Sequence, residues 1–155
     1  MTNGMMQALG LARTAAEVGE VPVGAVVMGP DGSILAQAHN HVETWQDPSA
    51  HAEMLAMRQA VALRGGQKLV DCTLFVTLEP CPMCAAAITH FRVGRVVFGA
   101  YDPKGGGMEH GPRVPYRPET LHKPEVIGGV REQECAALLK DFFTTLRCQK
   151  HTNKT

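Results

Sequence analysis

This sequence of 155 residues has no excess of positive or negative charge, because its 15 basic side chains balance its 15 acidic ones. Bulk charge therefore indicates no particular partner, although a polyanion could still bind at a local basic patch. The distribution is slightly uneven: residues 1–100 carry six basic and eight acidic side chains, and residues 101–155 carry nine and seven.

Long apolar runs are also missing, since no segment approaches the roughly 20 residues of a membrane-spanning helix. The first 18 residues lack the pattern of a signal peptide, because Gln7, Arg13 and Glu17 interrupt them. The five cysteines are odd in number and two of them form a close pair, which suits a reducing compartment better than a disulfide framework. We expect a cytoplasmic protein that does not associate with a membrane.

Aromatic residues make up only 5% of the chain, and it contains no internal repeat or low-complexity segment. With 45% hydrophobic and 19% charged residues, the composition is that of a globular protein rather than a disordered one. The length matches one domain of ordinary size. We predict a single domain over residues 1–150, followed by a frayed basic tail over residues 151–155.

Hydrophobic periodicity and turn residues predict nine helices and strands. In chain order they are a helix over 3–18, strands over 21–28 and 33–38, a helix over 50–64, a strand over 73–78, a helix over 81–91, strands over 95–100 and 125–128, and a helix over 132–147. This order predicts an α/β fold with one mixed sheet covered by helices on both faces. The Gly- and Pro-rich loop over 102–124 is too long for a passive connection.

Two short motifs carry the chemistry: H-A-E over residues 51–53 and P-C-P-M-C over residues 80–84. Cys81 and Cys84 are three residues apart, so in the first turn of a helix their sulfur atoms lie on the same face. The free backbone N–H groups of that turn favour the thiolate form of cysteine over the thiol. Two thiolates and the His51 imidazole form a ligand set that selects zinc. Three protein ligands leave a fourth position for water, as in catalytic zinc sites, so we predict one such ion per subunit.

Glu53 supplies the carboxylate that a metal-dependent hydrolase needs. It lies two residues after His51, close enough to transfer protons beside the ion without coordinating it. Residues two apart do not share a helix face, so we expect His51 in the turn that enters the helix, after residues 47–49.

The cysteine pair has two other interpretations. A redox pair would need one exposed, reactive cysteine and would give no role to His51 or Glu53. A closed structural zinc site would need a fourth ligand, and the nearest candidate, Cys72, precedes a strand that would place it roughly 20 Å from Cys81. A catalytic zinc site explains more of the residues than either alternative.

Other side chains that could bind a metal have simpler explanations. His39 and His41 flank Asn40 in a polar loop, where they are expected to be solvated or hydrogen-bonded. Cys135 and Cys148 lie on the closing helix and are expected to be core or surface thiols. The single tryptophan, Trp45, either covers this polar loop or is an exposed contact residue, and the sequence does not separate the two.

Together, the two motifs resemble the signature of the zinc-dependent nucleobase deaminases. Longer segments resemble the bacterial tRNA-specific adenosine deaminases: E-V-P-V-G-A-V over 20–26, D-P-S-A-H-A-E over 47–53, V-T-L-E-P-C-P-M-C over 76–84, G-R-V-V-F-G-A over 94–100 and E-C-A-A-L-L-K-D-F-F over 134–143. The resemblance covers about residues 3–147.

This resemblance implies a cytidine deaminase-like fold of three α/β/α layers around a mixed five-stranded sheet, and a homodimer. It implies that the wobble adenosine (position 34) of a tRNA anticodon stem-loop is converted to inosine. His51, Cys81 and Cys84 would hold zinc, and Glu53 would carry protons. The implied contacts to substrate or RNA are those of Asn40, Ala52, Asp102, Lys104, Phe142, Phe143 and Arg147. Lys150 and Lys154 are further candidates for phosphate contacts.

Two other functions fit part of the pattern. The same fold hosts deaminases of free bases or nucleosides, such as guanine, cytosine or cytidine, but the basic closing helix and residues 102–105 favour RNA. A non-catalytic zinc-binding RNA module would have no use for Glu53. The segment over 104–124 departs from the family pattern, and Tyr101 either stacks on a base or packs against the protein.

Overall fold

A computed structural model describes residues 2–152. Its helices and strands follow the predicted order. The helices are α1 (Thr2–Glu17), α2 (Ala52–Leu63), α3 (Pro82–His90) and α4 (Glu132–Thr152), and the strands are β1 (Gly24–Met28), β2 (Ile34–His39), β3 (Thr73–Leu78), β4 (Arg95–Ala100) and β5 (Glu125–Ile127). A short 3₁₀ helix over Val114–Tyr116 interrupts the long loop.

Local sequence explains where the helices begin and end. Helix α1 ends just before Gly19, which takes a φ of 81° that a residue with a Cβ atom adopts only with strain. Pro82 opens α3, where its missing N–H group would have had no helical partner in any case.

The five strands form one mixed sheet in the order β2-β1-β3-β4-β5. Strand β1 is antiparallel to both of its neighbours, whereas β3, β4 and β5 are parallel to one another. The carboxyl ends of β2, β3 and β4 therefore meet at one edge of the sheet, and the loops that follow them lie side by side.

Helices cover both faces of this sheet, as predicted. Leu74 and Val76 of β3 pack with residues of α2 and α3, whereas Phe75 between them packs with residues of α1 and α4. This alternation follows from the two-residue period of a strand. The result is the three-layer α/β/α arrangement of a cytidine deaminase-like fold.

The boundary of the closing helix differs most from the prediction. Helix α4 continues through Thr152, five residues beyond the predicted end, so the first two residues of the predicted frayed tail are helical. Residues 153–155, including Lys154, lie outside the described residues. None of the helices in the described part of the chain is both long and apolar enough to cross a membrane.

Candidate metal centre and active site

The candidate site lies at the edge of the sheet where β2, β3 and β4 end. His51 immediately precedes α2 with extended backbone angles (φ −76°, ψ 147°), and Cys81 precedes α3 in the same way (φ −68°, ψ 170°). His51 therefore occupies the turn that enters the helix, as the sequence predicted. This placement lets His51 and Glu53 approach one point although they are only two residues apart.

Three side chains converge with the spacing of a metal site. The His51 Nδ1 atom lies 3.7 Å from the Cys81 Sγ atom and 3.6 Å from the Cys84 Sγ atom. A tetrahedral zinc ion with ordinary bond lengths holds a nitrogen and a sulfur ligand about 3.6 Å apart. These residues therefore fit zinc. Within residues 2–152 they form the only group of three or more His, Cys, Asp or Glu residues so arranged.

The electrostatics of this cluster favour thiolate, the form of cysteine that binds zinc, at Cys81 but not at Cys84. A hydrogen bond from the Cys84 thiol, supported by the nearby His51 ring, lowers the pKa of Cys81 to about 4. The same hydrogen bond, together with burial, raises the pKa of Cys84. The pair thus shares a proton that metal binding would release.

Cys72 takes no part in this cluster. It lies just before β3, where the Arg64 guanidinium donates to its sulfur at 2.9 Å and Asp71 is close by. Burial is the main reason that its pKa is raised to about 11. The structure therefore provides no support for Cys72 as the fourth ligand of a closed zinc site.

Glu53 is buried beside the three candidate ligands, with only 4% of its surface exposed. Burial is the main reason that the pKa of this carboxyl group is raised. A raised pKa brings the group closer to neutral pH, where it can both accept a proton and return it.

These residues open into a cavity of about 360 Å³, within the usual range for small-molecule sites. It is lined by five of the predicted residues, Asn40, His51, Glu53, Cys81 and Asp102, together with Glu20, Val21, Val23, Val42, Glu43, Leu78, Glu79 and Gly105.

Asn40 is fixed at the wall of this cavity by the backbone of α2. The Ala52 N–H group donates to the Asn40 Oδ1 atom at 2.9 Å, which leaves the amide nitrogen free to donate to a ligand. Ala52 itself is fully buried and does not line the cavity. Its part in the site is therefore to orient Asn40.

Glu79 is a functional residue that the sequence analysis missed. Its carboxylate is 2% exposed and accepts hydrogen bonds from the N–H groups of Asp102, Met108, Glu109 and His110, at 2.9–3.2 Å. One buried side chain thus holds the first residue of the long loop, Asp102, close to residues 108–110 of the same loop.

Glu20 fixes the loop that follows β2 in a similar way. It is 1% exposed and accepts hydrogen bonds from the N–H groups of Glu43 and Thr44, at 3.0 and 2.6 Å. Both glutamates stand beside apolar residues, in the segments E-V-P-V over 20–23 and V-T-L-E over 76–79. An acid in such a position is the one signal that could have identified them.

Replacing Glu79 with glutamine should lower the free energy of unfolding by about 2–4 kcal/mol, because an NH₂ group would then face buried N–H donors. Chemical denaturation measures this loss. The control is Glu119→Gln, since Glu119 is exposed and forms an exposed ion pair with Arg117. Equal unfolding midpoints for the two variants would contradict the role given to Glu79.

Glu20 should make the stability of the protein depend on pH. Burial alone would raise its pKa, but the hydrogen bonds from Glu43 and Thr44 outweigh burial, and the pKa is lowered. A carboxyl group with a lowered folded-state pKa stabilises the fold above its unfolded pKa and loses this contribution as the pH falls through the folded pKa.

We therefore expect the stability difference between the wild type and Glu20→Gln to shrink as the pH falls from 7 through about 4.5 and below. Urea denaturation at a series of pH values measures it. A difference that is constant, or that grows in acid, would show that the hydrogen bonds at Glu20 do not act as described.

The long loop over 102–124 packs back onto the site, so it is not a passive connection. The Gly107 N–H group donates to the Pro80 carbonyl oxygen at 2.8 Å, next to the candidate ligand Cys81. Tyr101 packs edge-on against Phe98, with ring centroids 5.1 Å apart. The structure thus shows packing, and with 39% of Tyr101 exposed, stacking on a base stays a prediction.

The remaining predicted contacts do not line the cavity: they are Lys104, Phe142, Phe143 and Arg147. Phe142 and Phe143 pack edge to face on α4, with centroids 5.4 Å apart, and Arg147 donates to the Phe143 carbonyl oxygen. Lys104 is exposed beside Asp102, which accepts its N–H group. Their contacts with RNA stay predictions.

A mixed sheet between two helical layers, with a His-Cys-Cys cluster and a buried glutamate at one edge, defines the class of zinc-dependent deaminases. Residues 2–100 match the family described as the cytidine and deoxycytidylate deaminase zinc-binding region. The chain belongs to this family, and zinc is its cofactor.

Within the family, the chain is similar to enzymes that act on tRNA. It is 47% identical to the tRNA-specific adenosine deaminase of Bacillus subtilis over 146 residues, which are 94% of this chain and 90% of that protein. A structure from studies of A-to-I editing by tRNA:A34 deaminases at the wobble position of transfer RNA is 44% identical. Its TM-score is 0.87, and the match covers 90% of this chain and 100% of that one.

The chain also resembles a deaminase named for a free base. The guanine deaminase of Bacillus subtilis is 40% identical, with a TM-score of 0.61. That match covers 64% of this chain and 63% of the other.

Proposed function

We propose that this protein is a zinc-dependent hydrolase that deaminates adenosine 34, the wobble adenosine of a tRNA anticodon, to inosine. One observation carries the proposal: the His51, Cys81 and Cys84 cluster meets a buried glutamate in a cavity. The chain that builds this cavity is 47% identical, over nearly its full length, to a tRNA-specific adenosine deaminase.

His51, Cys81 and Cys84 are the residues that would hold the ion, through one nitrogen and two sulfur atoms. Zinc bound there supplies hydroxide near neutral pH, because it lowers the pKa of water from 15.7 to about 7. Such a nucleophile is needed because the amino group on C6 of adenine is a poor leaving group.

Glu53 carries the protons of the reaction. Its carboxylate accepts the proton that water gives up and passes it to the adenine ring as the hydroxyl group adds to C6. It then takes the proton of that hydroxyl group and gives it to the amino group, which leaves as ammonia while the C6 carbonyl of inosine forms. Water and adenosine thus become inosine and ammonia, with no other reactant. Asn40, oriented by Ala52, donates its amide N–H to the nucleoside and holds it in place.

The position of the site explains why the substrate is a single-stranded anticodon. A base inside a duplex could not reach Glu53, so the adenosine must leave its stack before it enters the cavity. Lys104, Arg147 and Lys150 are the candidate phosphate contacts among the described residues. We place the enzyme in the cytoplasm, with tRNA, and the sequence resemblance implies that it acts as a homodimer.

A panel of substrates tests this function. Zinc-loaded protein is mixed separately with an adenosine-34 anticodon stem-loop and with guanine, cytosine, adenosine and cytidine, and inosine and ammonia are measured. We expect inosine in the stem-loop, and no reaction when guanosine replaces adenosine 34. Turnover of the free compounds alone would contradict the proposal.

Guanine deamination is the second candidate, and one observation favours it. The structure resembles a guanine deaminase, and the size of the cavity suits a free base as well as a nucleotide. The same panel separates the two, because this candidate requires ammonia from guanine and an unchanged stem-loop. A zinc-binding RNA module without catalysis would give no product, and a buried Glu53 would then have no role.

A further inference from the structure

Three aromatic rings form a continuous stack on the loop that follows β2. The centroids of the His39 and His41 rings are 4.3 Å apart with planes at 25°, and those of His41 and Trp45 are 4.3 Å apart with planes at 14°. Trp45 is the outermost ring and is 56% exposed. Each of its two predicted roles therefore holds in part: one face of the indole covers His41 of the loop, and the other face is presented to solvent.

Hydrogen bonds hold the backbone that carries this indole. The backbone N–H group of Trp45 donates to the His41 carbonyl oxygen at 3.0 Å, and the carboxylate of buried Glu20 accepts the backbone N–H groups of the two preceding residues. A ligand that stacks on a fixed ring costs less conformational entropy than one that must first order a loop. The stack is thus preorganised for binding.

The same loop forms one wall of the cavity, through Asn40, Val42 and Glu43. The stack is therefore continuous in the chain with the residues that face the substrate. Residues 39–50 contain no lysine or arginine, and they contain the acids Glu43 and Asp47. Arg58 of α2 interacts electrostatically with Asp47, but the loop itself carries no cation, so its exposed indole suits the face of a base better than the phosphate backbone of a nucleic acid.

We propose that Trp45 is a stacking site for an unpaired nucleobase that neighbours the nucleotide held in the cavity. This inference rests on the proposed function, because it requires the substrate to be an RNA strand. His41 and His39 support the indole from behind. An aromatic platform accepts any base, so the site adds affinity without reading sequence.

Trp45 is the only tryptophan of the chain, so its fluorescence reports on this site alone. Zinc-loaded Glu53→Ala protein, which is expected to bind RNA without turnover, is titrated with the adenosine-34 stem-loop. A parallel titration follows the anisotropy of the same RNA carrying a dye. We expect the tryptophan emission to be quenched, with the same saturation point as the anisotropy.

Kinetics with abasic RNA identify the stacked base. In a set of stem-loops, each base that flanks adenosine 34 is replaced in turn by an abasic site. In the wild type, one replacement should raise KM by about 5- to 100-fold and leave kcat unchanged. On intact RNA, Trp45→Ala should raise KM by a similar factor. On the abasic RNA that raises KM in the wild type, the same substitution should cause no additional increase. Trp45→Phe should retain most of the affinity.

Leu121→Ala is the matched control, because Leu121 is even more exposed, at 92%, and does not line the cavity. It should keep the wild-type KM. The stacking site would be overturned if the anisotropy showed RNA binding while the tryptophan emission stayed unchanged and Trp45→Ala kept the wild-type KM. The proposed function would then remain intact. A changed oligomeric state of Trp45→Ala in sedimentation would also overturn the stacking site, because a second copy would then cover the indole.

Absence of RNA binding in the anisotropy titration would have a different meaning. It would overturn the proposed function itself, and the stacking site with it.

Discussion

Replacement of Glu53 by alanine should lower kcat on the adenosine-34 stem-loop by about 10²–10⁴-fold, the usual contribution of a group that transfers protons. Zinc content should stay unchanged, because Glu53 lies beside the three candidate ligands without belonging to them. Inosine formation at saturating RNA measures the rate, and plasma mass spectrometry measures zinc.

The control for this variant is Glu119→Ala, which removes an exposed carboxylate and should keep the wild-type rate. Glu53→Gln adds a second comparison: it keeps the size of the side chain, but its amide cannot carry a proton. It should therefore be as inactive as Glu53→Ala. Retention of more than a few percent of the rate by either Glu53 variant would contradict the proton-transfer role.

Replacement of Cys84 by serine should remove both the metal and the activity. Serine replaces a thiolate with a hydroxyl group, a poor zinc ligand, and leaves only two of the three ligands. After dialysis, zinc should fall from about one ion per chain to near zero. Because metal binding also stabilises the folded state, the thermal midpoint should fall with it.

Cys72→Ser is the matched control, because Cys72 is also a buried cysteine but lies outside the cluster. It should keep its zinc and its activity. Full zinc occupancy in Cys84→Ser would show that Cys84 is not a zinc ligand. Loss of zinc from Cys72→Ser would show that Cys72 is one.

The sequence predicted the features that depend on local patterns. Hydrophobic periodicity located every helix and strand that the structure describes, apart from the short 3₁₀ helix. Ligand chemistry selected His51, Cys81 and Cys84, and the spacing of His51 and Glu53 required the extended entry to α2 that the structure shows. These features follow from side chains a few residues apart.

The features that the sequence did not predict depend on contacts between distant segments. Glu20 and Glu79 act on backbone N–H groups at least 23 residues further along the chain, and nothing local marks those groups as their partners. The stack on His41 required the loop conformation, because residues two and four apart make contact only when the loop folds back.

X-ray absorption at the zinc edge tests the central claim, a catalytic ion held by three protein ligands. The expected spectrum has two sulfur neighbours at about 2.3 Å and two lighter neighbours at about 2.0–2.1 Å, one of which exchanges when substrate binds. Three or four sulfur neighbours, or a spectrum unaffected by the stem-loop, would mean that protein atoms enclose the ion, which contradicts an enzymatic site.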